Sequence, residues 1–291
     1  WSPDGRTLAV ARAGAGTRVT GFELVGPDGS TTRTVAFAPT GGDALGFNLL
    51  MFAGWQPDGD AVLVWIDPGG SGSAMQDGLD LWLVPVDGSE PHLLGETLVK
   101  REWVRWSPDG SRLAIVRSSW RGVDDGERTV TVCDTVGECT PISGADVATM
   151  DPAWSPDGRR LAYTTKPAHQ TPAVEHGRPN WRVLYAARHL WVATADGSDA
   201  REVTAAGDGV ASPRWTSDGT RILYVRDDAL RSVDVTSGDT AQVVAPISPV
   251  PEHRYGYQSN LAPPDAPYEA GSNNGFPTWE SLITWVPRDA Q

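Results

Sequence analysis

The sequence predicts an all-β protein: a six-bladed β-propeller of four-stranded antiparallel blades, with the first and last blades incomplete. Three observations carry this. A Trp-led turn recurs along the chain, a second turn follows each copy, and the copies are spaced at about 50 residues.

The fullest copy is Trp106-Ser107-Pro108-Asp109-Gly110-Ser111-Arg112-Leu113-Ala114-Ile115-Val116-Arg117. Others open at Trp1, Trp55, Trp154 and Trp215, at separations of 54, 51, 48 and 61 residues. Each reads as strand, tight turn, strand. Pro fixes φ at the first corner, Asp bonds its own backbone, and Gly takes the φ > 0 corner. Leu113 and Ile115 fall on one face of the following strand and Ala114 and Val116 on the other, the pattern of a strand packed between layers. The turn Trp is expected as a buried apolar anchor. A sixth copy at Trp279 keeps the Pro two residues before Trp (as at Pro152 and Pro213) and loses the SPDG turn.

A second hairpin follows each copy, with turns at Pro27-Asp28-Gly29-Ser30, Asp87-Gly88-Ser89, Asp134–Glu138, Asp196-Gly197-Ser198 and Thr236-Ser237-Gly238. Two hairpins make one blade. The blades fall near 1–37, 46–94, 100–142, 149–204, 210–244 and 275–288, within a single propeller domain over 1–291. Trp1 lies mid-hairpin, so the first blade lacks its innermost strand, and residues upstream are expected to supply it.

The repeat W-S-P-D-G-x-x-L-A with its following x-D-G-S hairpin resembles the TolB-type, WD-repeat-like propeller family. The same repeat occurs in the propeller domains of prolyl-oligopeptidase-like enzymes. The resemblance covers nearly the whole chain. It departs at Gln56, at Thr216-Ser217 and at the lost turn of blade six. It implies an extracytoplasmic scaffold that binds partner proteins.

The net charge of −13 and a pI near 4.7 argue against nucleic acid and against anionic membrane surfaces. No apolar run approaches the ~20 residues needed to span a bilayer. Cys133 and Cys139 flank a hairpin turn, where they could face each other as a disulfide or stand as two reduced thiols. Their spacing does not suit a metal site.

The SPDG and DG turns belong to one face of the expected disc, and the variable connections to the other. Function concentrates in irregular loops. Residues 13–17 lack the context of a phosphate loop, and 67–77 lack a nucleophile elbow. The acids of 118–127 lack EF-hand spacing, but Trp120 and Arg121 are favoured binding anchors. The insertion 166–189 holds His169, His176, Arg178 and Trp181. It reads either as a ligand-contacting or metal-binding set or as a solvated surface loop. The Pro-rich stretch 245–275 carries His253, Arg254, Tyr255 and Tyr257 and reads as a lid or a strap. Arg105 and Arg214, beside turn Trp residues on the innermost strands, either hold an anion or pair with neighbouring acids.

The function expected is a non-catalytic extracytoplasmic binding propeller with no cofactor. Its partner is a protein or peptide, with glycan as a further class, docked on the long-loop face. Two alternatives stand beside it. One is a hydrolase or lyase using His169, His176 or His253 with Arg178. The other is the gating propeller of a prolyl-oligopeptidase-like peptidase.

Overall fold

A computed structural model of the chain describes residues 1–13, 19–36, 50–66, 78–118, 128–144, 146–168, 174–175, 178–179, 186–205, 207, 209–226 and 229–245. Their regular elements are all β-strands apart from a single 3-10 turn, Arg101–Trp103. The chain divides into two compact units. One comprises residues 1–121 and 131–141, the other 122–130 and 142–291.

The first unit opens with a three-stranded antiparallel sheet, β1 (Leu8–Ala13), β2 (Val19–Val25) and β3 (Thr31–Ala36). Next come β4 (Leu50–Trp55), β5 (Ala61–Ile66), β6 (Leu79–Pro85) and β7 (His92–Thr97), paired in chain order. The third group is β8 (Val104–Trp106), β9 (Arg112–Arg117), β10 (Thr129–Asp134) and β11 (Cys139–Pro141). The boundary between the units crosses β10. One register pair, Thr97 with Arg117, joins the second and third groups into a continuous sheet, a link the repeat pattern does not reveal.

The second unit holds two sheets of four. The first is β12 (Val147–Trp154), β13 (Arg160–Pro167), β16 (His189–Thr194) and β17 (Arg201–Glu202). Between β13 and β16 lies a two-stranded ribbon, β14 (Val174–Glu175) with β15 (Arg178–Pro179). The second sheet is β18 (Ala211–Trp215), β19 (Arg221–Arg226), β20 (Ala229–Asp234) and β21 (Thr240–Val244). Four-stranded antiparallel groups thus repeat as the two hairpins require, and the first group has three strands.

The second strands of the groups, β5, β9 and β13, are buried on both faces, as their unbroken apolar runs demand. In the first unit Leu63, Leu81, Leu83, Leu94, Leu113 and Ile115 pack together. In the second, Leu190, Val192, Val210, Ile222, Tyr224 and Val233 do so.

The turn motif is held by a hydroxyl relay. Ser107 Oγ donates to Asp109 Oδ1 at 2.6 Å and accepts the Arg112 N–H at 2.9 Å. Ser2, Ser155 and Thr216 repeat the arrangement. Gln56 departs from it by reaching further: its Nε2 donates to Asp58 at 3.1 Å and to the Gly110 carbonyl of the next group at 3.0 Å. The buried residue of the motif is therefore the second, at Ser2, Gln56, Ser107 and Ser155, rather than the Trp. Trp55, Trp106, Trp154 and Trp215 are half-buried and Trp1 is exposed. Among the described residues, the fully buried indoles are Trp65, which donates to Thr97 Oγ1 at 2.7 Å, and Trp103. Trp215 acts between groups: its Nε1 donates to the Ala153 carbonyl at 3.0 Å, and the Arg160 guanidinium lies 4.6 Å over its ring.

Successive turns also touch. A Cβ built on Gly59, Gly110 or Gly219 would meet the proline of the preceding turn, Pro3, Pro57 or Pro156, at 3.8, 3.4 and 3.7 Å. Further out, Arg33 donates to the Pro85 carbonyl and Arg201 to the Val235 carbonyl, each arginine tying one group to the next.

These bonds hold the Asp109 and Asp218 carboxylates well below their usual range. Hydrogen bonds from Ser107 and then Ser111 bring Asp109 down to about 2, and Thr216 and then Thr220 do the same for Asp218. A carboxylate with a depressed folded pKa stabilises above its unfolded value, near 3.9, and loses that contribution as pH falls through the folded value. Urea midpoints are therefore expected to fall between pH 4 and pH 2. Asp109→Asn should flatten that dependence without changing the midpoint at pH 7 by as much as the acid shift.

Cys133 and Cys139 form a disulfide across register partners of β10 and β11. Cys133 is buried in the first unit's core, and Cys139 packs at its edge.

Candidate functional site

In β12 the chain bulges before its turn Trp. Met150 pairs with Thr164 and Ala153 with Ala162, so Asp151 and Pro152 are extruded between them. Asp151 has φ +54°, which Asp tolerates better than most L-residues. The same bulge recurs in β18 at Ser212-Pro213, with Ser212 at φ +50°. Strain of this kind persists only where its surroundings over-determine it.

At Asp151 those surroundings are polar. Thr164 Oγ1 donates to Asp151 Oδ2 at 3.0 Å, and Arg188 Nη1 reaches the same oxygen at 3.3 Å. The Arg188 side chain is 3% exposed and that of Asp151 14%. Thr164 shares a face of β13 with Lys166, which pairs with Ala148 and is fully buried. Leu190, opposite Thr164 and on the same face, joins Val210, Ile222 and Tyr224 of the next group in one core. Val210 N–H donates to the Arg188 carbonyl at 3.3 Å and Gly209 N–H to that of Ala186 at 3.2 Å. A polar cluster of Asp151, Thr164 and Arg188, with Lys166 buried on the same face of β13, thus sits between two sheets of the second unit. It lies toward the end of β13 opposite the Ser155–Arg160 turn, where the insertion leaves the sheet. Buried charges of this kind persist only when paired and hydrogen-bonded.

Arg128 borders β12 through its backbone. Its carbonyl accepts the Thr149 N–H at 2.8 Å, and its side chain is buried. On the outer strands, His189 Nδ1 and Glu202 Oε1 lie 2.9 Å apart, and the imidazole stands edge-on to Trp191, with ring centroids 6.1 Å apart.

Of the residues singled out from sequence, Trp120, Arg121, His169, His176, Trp181, His253, Arg254, Tyr255 and Tyr257 lie outside the described residues. Arg178 is placed in β15 by its backbone. Arg105 lies on β8 opposite Ala114, and Arg214 on β18 opposite Leu223. The two belong to different units. The sequence reading missed Asp151, Thr164, Lys166, Arg188 and the His189–Glu202 pair. One signal was available. Thr164 stands where the equivalent strands carry Trp65, Val116 and Val225, a polar residue in an otherwise apolar column. Among the described residues no group of three or more His, Cys, Asp or Glu is placed to hold a metal. No helix among them is long and apolar enough to cross a membrane.

No known family model matches the chain. A stretch of 121 residues, 41% of the chain, is 29% identical to an uncharacterized peptidase, YuxL, of Bacillus subtilis, and covers 16% of that protein's length. Among solved structures, the chain aligns over 83% of its length with dipeptidyl peptidase 4 of Porphyromonas gingivalis, with a TM-score of 0.54 and 11% identity, covering 38% of that chain. It aligns over the same share with a putative TolB from Agrobacterium tumefaciens, with a TM-score of 0.43 and 19% identity, covering 78% of that chain. These neighbours are β-propeller proteins, and the likeness is one of fold.

Proposed function

We propose that the chain is a six-bladed, TolB-like propeller that works outside the cytoplasm by binding a protein or peptide, with glycan as a second partner class, at the end of its blades that carries the 166–188 insertion. One observation carries this reading. The turn ends of the groups are closed by their own hydroxyl, carboxylate and amide bonds, whereas the buried charges Asp151, Lys166 and Arg188 gather where the insertion is rooted. Order at the root of an insertion lowers the entropy lost when the insertion binds a partner. His169, His176, Arg178 and Trp181 stand in that loop, with Trp120, Arg121 and the aromatics of 253–257 as further contact candidates. The disulfide is consistent with an oxidising compartment.

A second reading is favoured by the match to YuxL and the fold likeness to dipeptidyl peptidase 4: the chain is the propeller portion of a longer peptidase. The two readings separate experimentally. Residues 169–185 are replaced by a short Gly/Ser bridge, and partner capture from an envelope fraction is followed by mass spectrometry. A partner identified with the intact chain should be lost with the bridged one, and unchanged capture would count against the insertion. Hydrolysis of fluorogenic peptides by the native protein isolated from its host would favour the peptidase reading.

A further inference from the structure

The opposite face of the same sheet carries a second polar set, which the reading above does not use. Thr149, Thr165 and His189 are successive register partners across β12, β13 and β16, so their side chains stand in one row on one face. Cβ atoms of such partners lie about 4.5–5.5 Å apart. Trp191, two residues beyond His189, shares the face, opposite Tyr163.

The hydrogen bonding along this row is uneven. Thr149 Oγ1 is satisfied by the Val130 N–H at 2.7 Å and lies 3.2 Å from Ser143 Oγ. Thr165 Oγ1 and Trp191 Nε1 are buried and bond to nothing among the described residues. His189 makes its hydrogen bond through Nδ1, to Glu202. When Nδ1–H donates to that carboxylate, Nε2 is an acceptor. Three neighbouring groups therefore remain: a donor-only indole N–H, a hydroxyl that can give or take, and an imidazole acceptor. Buried polar groups go unsatisfied in only a few cases per domain, and a cluster of them marks a place where something hydrogen-bonds.

We propose that this niche on β13 and β16 is a binding site for a single O–H group, which accepts from Trp191 and Thr165 and donates to His189, with Glu202 fixing the imidazole tautomer. Two sources share that chemistry: an ordered water, or one hydroxyl of a small polyol or sugar entering beside the partly exposed His189–Glu202 pair. An indole edge with an imidazole, a hydroxyl and a carboxylate is a set suited to a sugar hydroxyl. A donor-only indole beside an acceptor also discriminates against a bare carboxylate, which could not donate to Nε2.

The test is Thr165→Val against Thr165→Ser in the full chain, read by urea unfolding. Val keeps the shape and removes the hydroxyl, while Ser keeps the hydroxyl. If an O–H group is bound, Thr165→Val leaves it and its partners short of one bond, and the folding equilibrium constant should fall about fivefold to tenfold. Thr165→Ser should fall distinctly less. If the Thr165 hydroxyl is bonded to nothing, Thr165→Val will match or exceed the original stability, and the site is overturned. Equal losses for Val and Ser would assign the effect to packing and overturn it too. Titration with glycerol, glucose and N-acetylglucosamine identifies the source. A rise in Tm for the original protein that Thr165→Val abolishes indicates a ligand hydroxyl. The Thr165→Val loss with no such rise indicates water.

Discussion

Asp151→Ala should lower the free energy of unfolding by about 3–5 kcal/mol, the cost of removing one partner from a buried ion pair. Arg188 stays in place with its side chain 3% exposed, and the carboxylate oxygen that receives it and Thr164 is gone. The substitution also places Ala at φ +54° immediately before Pro152, a conformation that Asp or Asn occupies more readily. Asp151→Asn separates these contributions. It keeps an acceptor for Thr164 and a residue type tolerant of the left-handed region, so its cost should be about 1–2 kcal/mol, mainly the lost charge. A double-mutant cycle of Asp151→Ala with Arg188→Met should return a coupling of at least about 1 kcal/mol in chemical denaturation. Additive losses would mean that the two side chains do not stabilise each other. If the cluster fixes the root of the insertion, Asp151→Asn should also weaken partner binding at a temperature where the protein remains fully folded.

Gly137→Ala should destabilise the protein by about 2–4 kcal/mol, from two causes that a second glycine allows to be told apart. At Gly137, φ is +87°, and a Cβ would lie 2.6 Å from His92 Cβ and 3.0 Å from its Cγ. The first is a backbone conformation that costs an L-residue roughly 1–2 kcal/mol. The second is an overlap with a side-chain root that cannot swing away, since Cβ moves only with its backbone. Gly238 occupies the corresponding turn of the last described group, at φ +77°, with no atom within 4 Å of its would-be Cβ. Gly238→Ala should therefore cost only the conformational part. The difference between the two midpoints in guanidinium, at equal m-value, measures how tightly the disulfide-bearing hairpin is pressed against β7. Equal losses would show that His92 yields freely.

The parts that were legible in the sequence are local. Every atom of the turn relay, from Ser107 to Arg112, lies within six residues, so residue types and their order sufficed to place the turn and the two strands it joins. The Cys133–Cys139 pairing was legible for the same reason, as one hairpin brings both into register. Where the reading of the motif went astray, at the Trp, the outcome depended on neighbours far along the chain. Trp215 is half-buried because it serves Ala153 and Arg160 of the preceding sheet, which no single repeat reveals. The charged cluster is non-local in the same way. Asp151 and Arg188 are separated by a turn, β13 and the insertion. Only the bulge, which swings Asp151 out of the ladder, lets its carboxylate meet Arg188. Histidine content drew attention to the insertion, but it said nothing of His189, whose role depends on register with Thr165 and contact with Glu202.

The contact of Gly59, Gly110 and Gly219 with the proline of the turn before each has a practical consequence for altering this chain. A residue added to the turn at Pro3, Pro57 or Pro156 displaces a surface that the next turn is seated on, so the disturbance passes to the neighbouring group instead of remaining in a loop. The connection at 67–77 carries no SPDG turn and is rich in Gly and Ser. Peptide epitopes, fluorophores or a fused domain should therefore be tolerated in the 67–77 connection of the second group. The same insertions at 57–59 or 108–110 should leave the protein unable to fold. A repeat that looks like the natural place to cut and graft is the place where the chain has the least slack.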